Sequence, residues 1–427
     1  MTLHDLSKLR ILFSHYSLED DISGITTWLE KLLLRMDKDG IPTTLYLQHF
    51  DSNIEKSSLL QSLKKSSIKV EIESISSYTE DDIRNTLACI NRHRPNVFLP
   101  QFFQFTFYAA SIAGQNGLPW VLPIHSDTPF NWAIANFLSP ETKGGQIVGV
   151  SHYICQLAEN QALAKQAQCI PYGVTIGDKK AIFSDSPFRV VFSGRVVEDQ
   201  KRISLVLEAM SLACKLDPRI ECVILGDGSQ LDDSKLWVES QDLSDRIQFR
   251  GRLPFEEVTE ELGKCQSILL MSDYEGLPVA LIEAMAIGVV PIVRYILSGV
   301  PELVKDEITG ILIDDTPARA AEAILHLANN PTLWKNYSVA SRELISQNYN
   351  EDICYERWLN LIAQLCEQST VNYPIPIPKK IPLPSTNQPF LADLNRFKPH
   401  PIIAFFRTVR FKLGIGKKIK ILVKNFL

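Results

Sequence analysis

Residues 267–287 constrain this chain more than any other stretch. Ser267-Ile268-Leu269-Leu270-Met271 is an apolar run that predicts a buried strand. The next segment, Ser272-Asp273-Tyr274-Glu275-Gly276-Leu277, turns through Gly276. Pro278 then stands near the first position of a helix, where a missing N–H is no loss. Glu275 precedes that helix, and Glu283 lies about two turns along it at 3.6 residues per turn. The N–H groups of the first turn face outward between the two carboxylates. Such a strand–turn–helix suits a phosphorylated, hydroxyl-rich ligand, because amides face the anion and carboxylates accept from sugar hydroxyls. Glu283 is flanked by Leu281, Ile282, Ala284 and Met285. A carboxylate in so apolar a helix requires a polar partner. Ribose hydroxyls would supply one; the alternative is a helix-end charge at Glu275 and a solvated face at Glu283.

The same alternation runs through the whole chain. In the first half, strands are predicted at 10–14, 43–47, 68–72, 96–99, 120–124 and 146–150, with a helix at 25–37 and largely helical segments elsewhere. In the second half, strands are predicted at 188–193, 221–225, 247–250, 267–271, 290–293 and 310–313. Helices are predicted there at 204–216, 254–264, 278–287 and 318–329. Alternation of this kind means parallel sheets covered by helices. A chain of 427 residues exceeds one ordinary core. The expected architecture is therefore α/β, with two doubly wound Rossmann-like domains facing across a cleft and ligands beyond the carboxyl ends of the strands. The expected boundaries are 1–178 and 187–349. A helix at 350–368 places Trp358, Leu361, Ile362 and Leu365 on one face and is expected to pack back on the N-terminal domain. Proline density suggests an extended linker over 369–400, followed by a basic amphipathic tail at 401–427.

A net charge of −5 gives no indication of a nucleic-acid partner. There is no apolar stretch of about 18 residues and no signal-type apolar region, so a cytoplasmic protein is expected. The eight cysteines are scattered, without CxxC pairs or histidines at metal spacing, and read as reduced core thiols. The tail carries Arg410, Lys412, Lys417, Lys418, Lys420 and Lys424 among apolar residues. It reads either as a segment for an anionic membrane surface, making the protein peripheral on the cytoplasmic face, or as a flexible solubilising end.

Further phosphate-compatible residues follow the second-half strands. Gly194 and Arg195 come after strand 188–193, and Lys201 and Arg202 open the next helix. An Arg fork and a Lys point charge beside a helix start match what a diphosphate needs; a solvated charged turn is the alternative. Gly226-Asp227-Gly228 follows strand 221–225, either to admit a ligand close to the backbone or as an ordinary tight turn.

In this order these residues resemble the retaining glycosyltransferases of family 4, which have the GT-B fold. The matching pieces are Ser193-Gly194-Arg195-Val196 with Lys201, Leu225-Gly226-Asp227-Gly228, Phe249-Arg250-Gly251-Arg252-Leu253, the pair Glu275 and Glu283, and Ser298-Gly299-Val300-Pro301-Glu302. The resemblance covers about residues 11–367 and is strongest over 191–313. It implies that Arg195 and Lys201 neutralise the donor diphosphate, with Arg202 as the other candidate for the lysine's part. Glu283 would bind ribose, and Glu275 with Gly276, Leu277 and Pro278 would hold the donor sugar. Gly226, Asp227, Gly228, Arg252 and Leu253 would line the donor site. Gly24 would let the N-terminal domain approach the diphosphate, although many relatives have two glycines there. His125 would lie near the reacting sugar. Phe102–Tyr108 and Thr128–Phe137 are candidate acceptor loops.

The implied reaction is transfer of a sugar, with retention, from a nucleotide-diphosphate sugar to a saccharide, a lipid-linked acceptor or another hydroxyl. Neither a cofactor nor a metal is expected, since no Asp-x-Asp follows an apolar strand and the phosphate site already has fixed cations. The alternatives are a non-catalytic nucleotide-sugar-binding partner and an epimerase or phosphorylase on the same fold.

Overall fold

A computed structural model of the protein describes residues 8–16, 24–50, 54–101 and 103–383. The basic tail at 401–427, residues 384–400 of the proline-rich stretch and Phe102 lie outside the described residues. The strands are β1 (Ile11–Tyr16), β2 (Thr43–His49), β3 (Lys69–Ser74), β4 (Val97–Pro100), β5 (Trp120–Ile124), β6 (Gly145–Gly149), β7 (Gln168–Cys169), β8 (Phe188–Ser193), β9 (Ile220–Leu225), β10 (Ile247–Gly251), β11 (Ser267–Leu270), β12 (Val290–Arg294) and β13 (Ile311–Ile313). The helices in the first half are α1 (Gly24–Lys38), α2 (Ser58–Leu63), α3 (Thr79–His93), α4 (Gln104–Gly114), α5 (Pro129–Leu138) and α6 (His152–Asn160). Those in the second half are α7 (Ile203–Leu216), α8 (Leu231–Ser240), α9 (Phe255–Leu262), α10 (Val279–Ile287), α11 (Val300–Leu303), α12 (Pro317–Ala328), α13 (Pro331–Asn348) and α14 (Glu351–Gln368).

Two parallel sheets result, ordered β3-β2-β1-β4-β5-β6-β7 and β10-β9-β8-β11-β12-β13. Central strands such as β8 and β11 are largely apolar and buried because helices cover both faces. Strand order reverses between β1 and β4 in the first sheet and between β8 and β11 in the second. Loops at the carboxyl ends diverge at such a reversal and leave a crevice. Four elements escaped the periodicity reading; one is α8, which buries only Ser234 and Val238. β7 and α11 are too short to show a period. Helix α13 buries Trp334, Tyr337, Ser338, Ser341 and Ile345 at helical spacing, but the two serines break the apolar stripe. Among the described residues no helix is long and apolar enough to cross a membrane.

By contact density the described chain divides into two units. The first draws on Met1–Leu122, Thr128–Gln146 and Ile362–Leu427, and the second on Pro123–Asp127 and Ile147–Leu361. The division falls inside α14.

The proline-rich stretch is not a free linker as far as it is described. It is seated on the first unit. Pro374, Pro376, Pro378 and Pro382 have no N–H, so this segment offers mostly carbonyls. Side chains of the unit take them up. Asn91 Nδ2 donates to the Ile375 carbonyl at 2.9 Å, and its Oδ1 accepts from Ile375 N at 2.7 Å. Arg84 donates to Lys379 O, and the Tyr108 hydroxyl donates to Pro382 O. Tyr373 returns a bond to Pro95 O. Ile375, Ile381 and Leu383 are buried. Isoleucines between prolines supply the anchors that the composition alone concealed.

All eight cysteines are free thiols and six are buried. The reading that none has a histidine at metal spacing is corrected by α3, which carries Cys89 and His93 four residues apart. Their ligand atoms converge with a carboxylate oxygen of Glu71.

The seating of the proline-rich stretch makes a measurable prediction. Asn91→Ala leaves the Ile375 N–H and C=O without their partner and is expected to cost about 1–3 kcal/mol. Urea unfolding of the full chain measures this, and limited proteolysis should then cut within 371–383. An unchanged midpoint and an unchanged digestion pattern would contradict the packing.

Candidate functional site

The carboxyl ends of β8, β9 and β11 converge in the second unit at the reversal of strand order. Two backbone segments meet there at distances that only glycine permits. Gly194 follows β8 with φ 152°, and Gly226 follows β9 with φ 136°. A Cβ on Gly226 would lie 1.9 Å from the Gly194 carbonyl oxygen, and one on Gly228 would lie 2.3 Å from that of Val196. Gly226 and Gly228 each admit the backbone of the β8 loop. Gly194 N donates to Leu225 O and Val196 N donates to Asp227 O, which lock the two loops together. The exposed Asp227 turns its carboxylate to the N–H of Gly228 at 2.7 Å.

The chemistry-bearing group sits on this base. Lys201 Nζ lies 2.5 Å from Glu275 Oε1, and the two side chains are only 11% and 9% exposed. The lysine stem passes over Gly194, with Cε 3.5 Å from where a Cβ would stand. A cation from the β8 loop and a carboxylate from the β11 loop therefore meet across the point of strand reversal. Arg195 is exposed and donates to the side-chain oxygen of the buried Gln200. Gln200 also donates from Nε2 to Tyr274 O at 3.1 Å and accepts from Asp273 N at 2.9 Å. It is thus the strut between the two loops. In the sequence it is a single polar residue before Lys201.

Arg202 has a different setting from Lys201. It occupies the N-cap of α7 with φ 50° and turns to Asp273 at 3.2 Å and Asp315 at 3.3 Å. Arg294 shares both carboxylates. Pro278 is the N-cap of α10, one place before the expected first helical position. Glu283 is the fifth residue of that helix, nearer its start than the predicted two turns, and is half-buried. Leu277 is buried. The Ser272 hydroxyl, at the end of β11, is buried without a hydrogen-bond partner.

His125 belongs to the same unit and meets the β11 loop through its backbone. A Cβ on Gly276 would lie 1.9 Å from the His125 carbonyl oxygen, and one on Gly299 would lie 2.4 Å from the Gly276 carbonyl. Gly276 is therefore where two stretches of backbone cross. His125 Nδ1 is 2.6 Å from the Tyr172 hydroxyl, and the two rings stack with centroids 5.9 Å apart and planes 6° off parallel. Some ring surface remains uncovered, yet enough protein surrounds the imidazole that desolvation pushes its pKa down to about 4. At neutral pH the ring is uncharged. Burial likewise raises the Tyr172 phenol well above its ordinary value.

The Ser298–Glu302 segment has a positioning part. Glu302 accepts from His152 N at 3.0 Å and Tyr153 N at 2.9 Å, capping the start of α6. The Tyr153 hydroxyl donates to Asp127, two residues past His125, at 3.0 Å. Gln200, Tyr172 and Glu302 are the site-building residues whose parts sequence reasoning missed. Exposed Arg252 and half-buried Leu253 follow β10, whose Gly251 carbonyl accepts from Gly226 N at 2.8 Å. Gly24 opens α1 in the first unit and is exposed. Of the acceptor-loop candidates, Phe105, Phe107, Tyr108 and Trp132 are buried in the core.

Residues 176–344 match the family of glycosyl transferases group 1. The amylovoran biosynthesis glycosyltransferase AmsK of Erwinia amylovora is 30% identical over 186 residues, which is 42% of this chain and 45% of that protein. The matched stretch thus spans less than half of that relative. Among solved structures, a glycosyltransferase from Rickettsia africae superposes with a TM-score of 0.71 at 18% identity, covering 84% of this chain and 99% of that one. HepE of Anabaena, solved with UDP and glucose, superposes with a TM-score of 0.68 at 16% identity, covering 83% and 99%. At these identities the likeness is one of fold. The Lys201–Glu275 group and Gln200 lie inside the matched segment, whereas His125 and Gly24 lie outside it. Residues 176–344 are a glycosyl transferases group 1 domain, in a chain with the two-sheet GT-B fold of those structures.

Proposed function

We propose that this chain is a retaining glycosyltransferase of the family 4 type. It would move a sugar from a nucleoside diphosphate sugar to a hydroxyl of a saccharide or lipid-linked acceptor, with no metal in the transfer step. The observation that carries the reading is the buried Lys201–Glu275 pair above Gly194, at the reversal of strand order. HepE holds UDP and glucose, and AmsK is named for amylovoran biosynthesis. These support a uridine-linked donor and a place in polysaccharide assembly.

The side chains divide the work by charge. As the glycosidic bond breaks, negative charge builds on the departing diphosphate. Lys201 meets it with a point charge, and Arg195, steadied by Gln200, meets it with a fork of donors. Lys201 suits this part better than Arg202, whose guanidinium is already shared with Asp273 and Asp315. When the diphosphate takes the ammonium, Glu275 is released to accept from sugar hydroxyls. Glu283 accepts from ribose. Positive charge develops on the sugar ring, and a neutral His125 adds no repulsion to it. The departing phosphate takes the acceptor proton on the same face, which gives retention. The basic groups carry the diphosphate charge that a metal would otherwise carry.

Two measurements test these assignments. Lys201→Ala is expected to lower kcat/KM for transfer by about 100-fold, or roughly 2.7 kcal/mol. A loss under about tenfold in a normally folded variant would contradict the assignment.

The second concerns His125. Its imidazole takes a proton near 6.5 when unfolded but only near 4 when folded. Between those values the unfolded state binds more protons, so this contribution is complete above about pH 6.5 and is lost as pH falls toward 4. Denaturation midpoints should therefore fall more steeply across that window for the wild type than for His125→Asn. Parallel curves would contradict the buried, neutral imidazole.

A further inference from the structure

Glu71, Cys89 and His93 converge in the first unit, and none of the three is assigned to the donor. Glu71 lies on the edge strand β3, directly opposite Tyr46 of β2 in the parallel register. Both side chains therefore leave the sheet on one face. Cys89 and His93 stand four residues apart on α3, one above the other. A carboxylate oxygen, a thiol sulfur and an imidazole nitrogen from these residues all lie within 4.8 Å of one another. His93 Nε2 is 2.6 Å from Glu71 Oε2, and Arg92 donates from Nη2 to Oε1 and from Nε to Oε2 at 3.4 Å. The sulfur is fully buried, whereas the Glu71 and His93 side chains are 22% and 23% exposed. The group is thus open to solvent on one side only. The Tyr46 hydroxyl is fully buried and has no hydrogen-bond partner. A donor left in that state costs about 1–3 kcal/mol and points to an acceptor that the site acquires.

We propose that Glu71, Cys89 and His93 bind a divalent transition-metal ion of the zinc type. A sulfur, nitrogen and oxygen donor set suits that borderline class, whereas calcium and magnesium favour oxygen alone. On binding, the Cys89 thiol releases its proton to solvent and the thiolate becomes a ligand. The hydrogen bond between Glu71 Oε2 and His93 Nε2 is exchanged for two metal bonds. Tetrahedral ligands at about 2.0 Å from the ion stand about 3.3 Å apart, so those two atoms separate by several tenths of an ångström. Arg92 stays on Glu71 Oε1 and orients the carboxylate from outside the coordination sphere. The Tyr46 hydroxyl gains the thiolate as its acceptor, and water completes the fourth position. The ion pins the last turn of α3 to the edge strand. That helix also carries Arg84 and Asn91, which hold residues 371–383. The site is structural and takes no part in transfer.

The test uses the full chain, freed of metal by a chelator and titrated with cobalt(II), whose thiolate complexes have a charge-transfer band. One equivalent should bind with that band, and zinc should displace it and raise the melting temperature. Cys89→Ser should abolish the band, while Cys366→Ser should keep it. His93→Gln should weaken binding by more than about 100-fold and Tyr46→Phe by about tenfold, the latter being typical for a lost outer partner. Absence of a saturable band, or a band that survives Cys89→Ser, would overturn the proposal. If Cys89→Ser does not fold, His93→Gln decides, and an affinity equal to the wild type would overturn it.

Discussion

The second unit is organised around one ion pair, Lys201 with Glu275, largely withdrawn from water. Removing one member of a buried pair leaves the other charge uncompensated, at a cost of about 3–5 kcal/mol. The pair survives because each partner comes from a loop whose backbone is otherwise fixed. Lys201 is held just before α7 with its stem across Gly194, and Glu275 is held between the end of β11 and the Pro278 cap of α10. Such an arrangement is poor at generating stability and well suited to exchange. An entering dianion can take the cation while the freed carboxylate turns to hydroxyl groups on the same ligand.

The glycines make that geometry available. Gly226, Gly228, Gly276 and Gly299 each admit a carbonyl oxygen where a Cβ would lie 1.9 to 2.4 Å from it. Those crossings join the β8 loop to the β9 loop and the β11 loop to the His125 segment, and the Lys201–Glu275 pair joins the two sets into one surface. Gln200 and Glu302 then fix it with side-chain bonds to backbone groups. The site is thus a set of backbone crossings decorated by few charges. Its tolerance to substitution should therefore follow the glycines as much as the charges.

How much was legible in the sequence follows from this division. Buried parallel strands are apolar runs, so β8 and β5 were located to the residue, and the other β/α boundaries mostly fell within one or two positions. The charged members of the site were legible because each follows a strand. Their supports were not. Gln200 is polar and buried, and its bonds across to Asp273 and Tyr274 span about seventy residues of sequence. The glycines were read as spaces for ligand or as turns, since nothing in a linear chain shows which carbonyl will cross a given glycine. The proline-rich stretch was read from its prolines, although Ile375 and Ile381 decide where it lies. The pair Cys89 and His93 was overlooked because its third member, Glu71, comes from strand β3, outside their helix.

The measurement that bears most directly on the Lys201–Glu275 account is calorimetric titration of the full chain with a nucleoside diphosphate, with and without its sugar. If the pair is exchanged on binding, Glu275→Gln, which frees the ammonium, should bind the sugarless diphosphate at least as tightly as the wild type. That variant should also lose the added affinity that the sugar brings. Equal weakening toward both ligands, or an unchanged preference for the sugar-bearing one, would contradict the account.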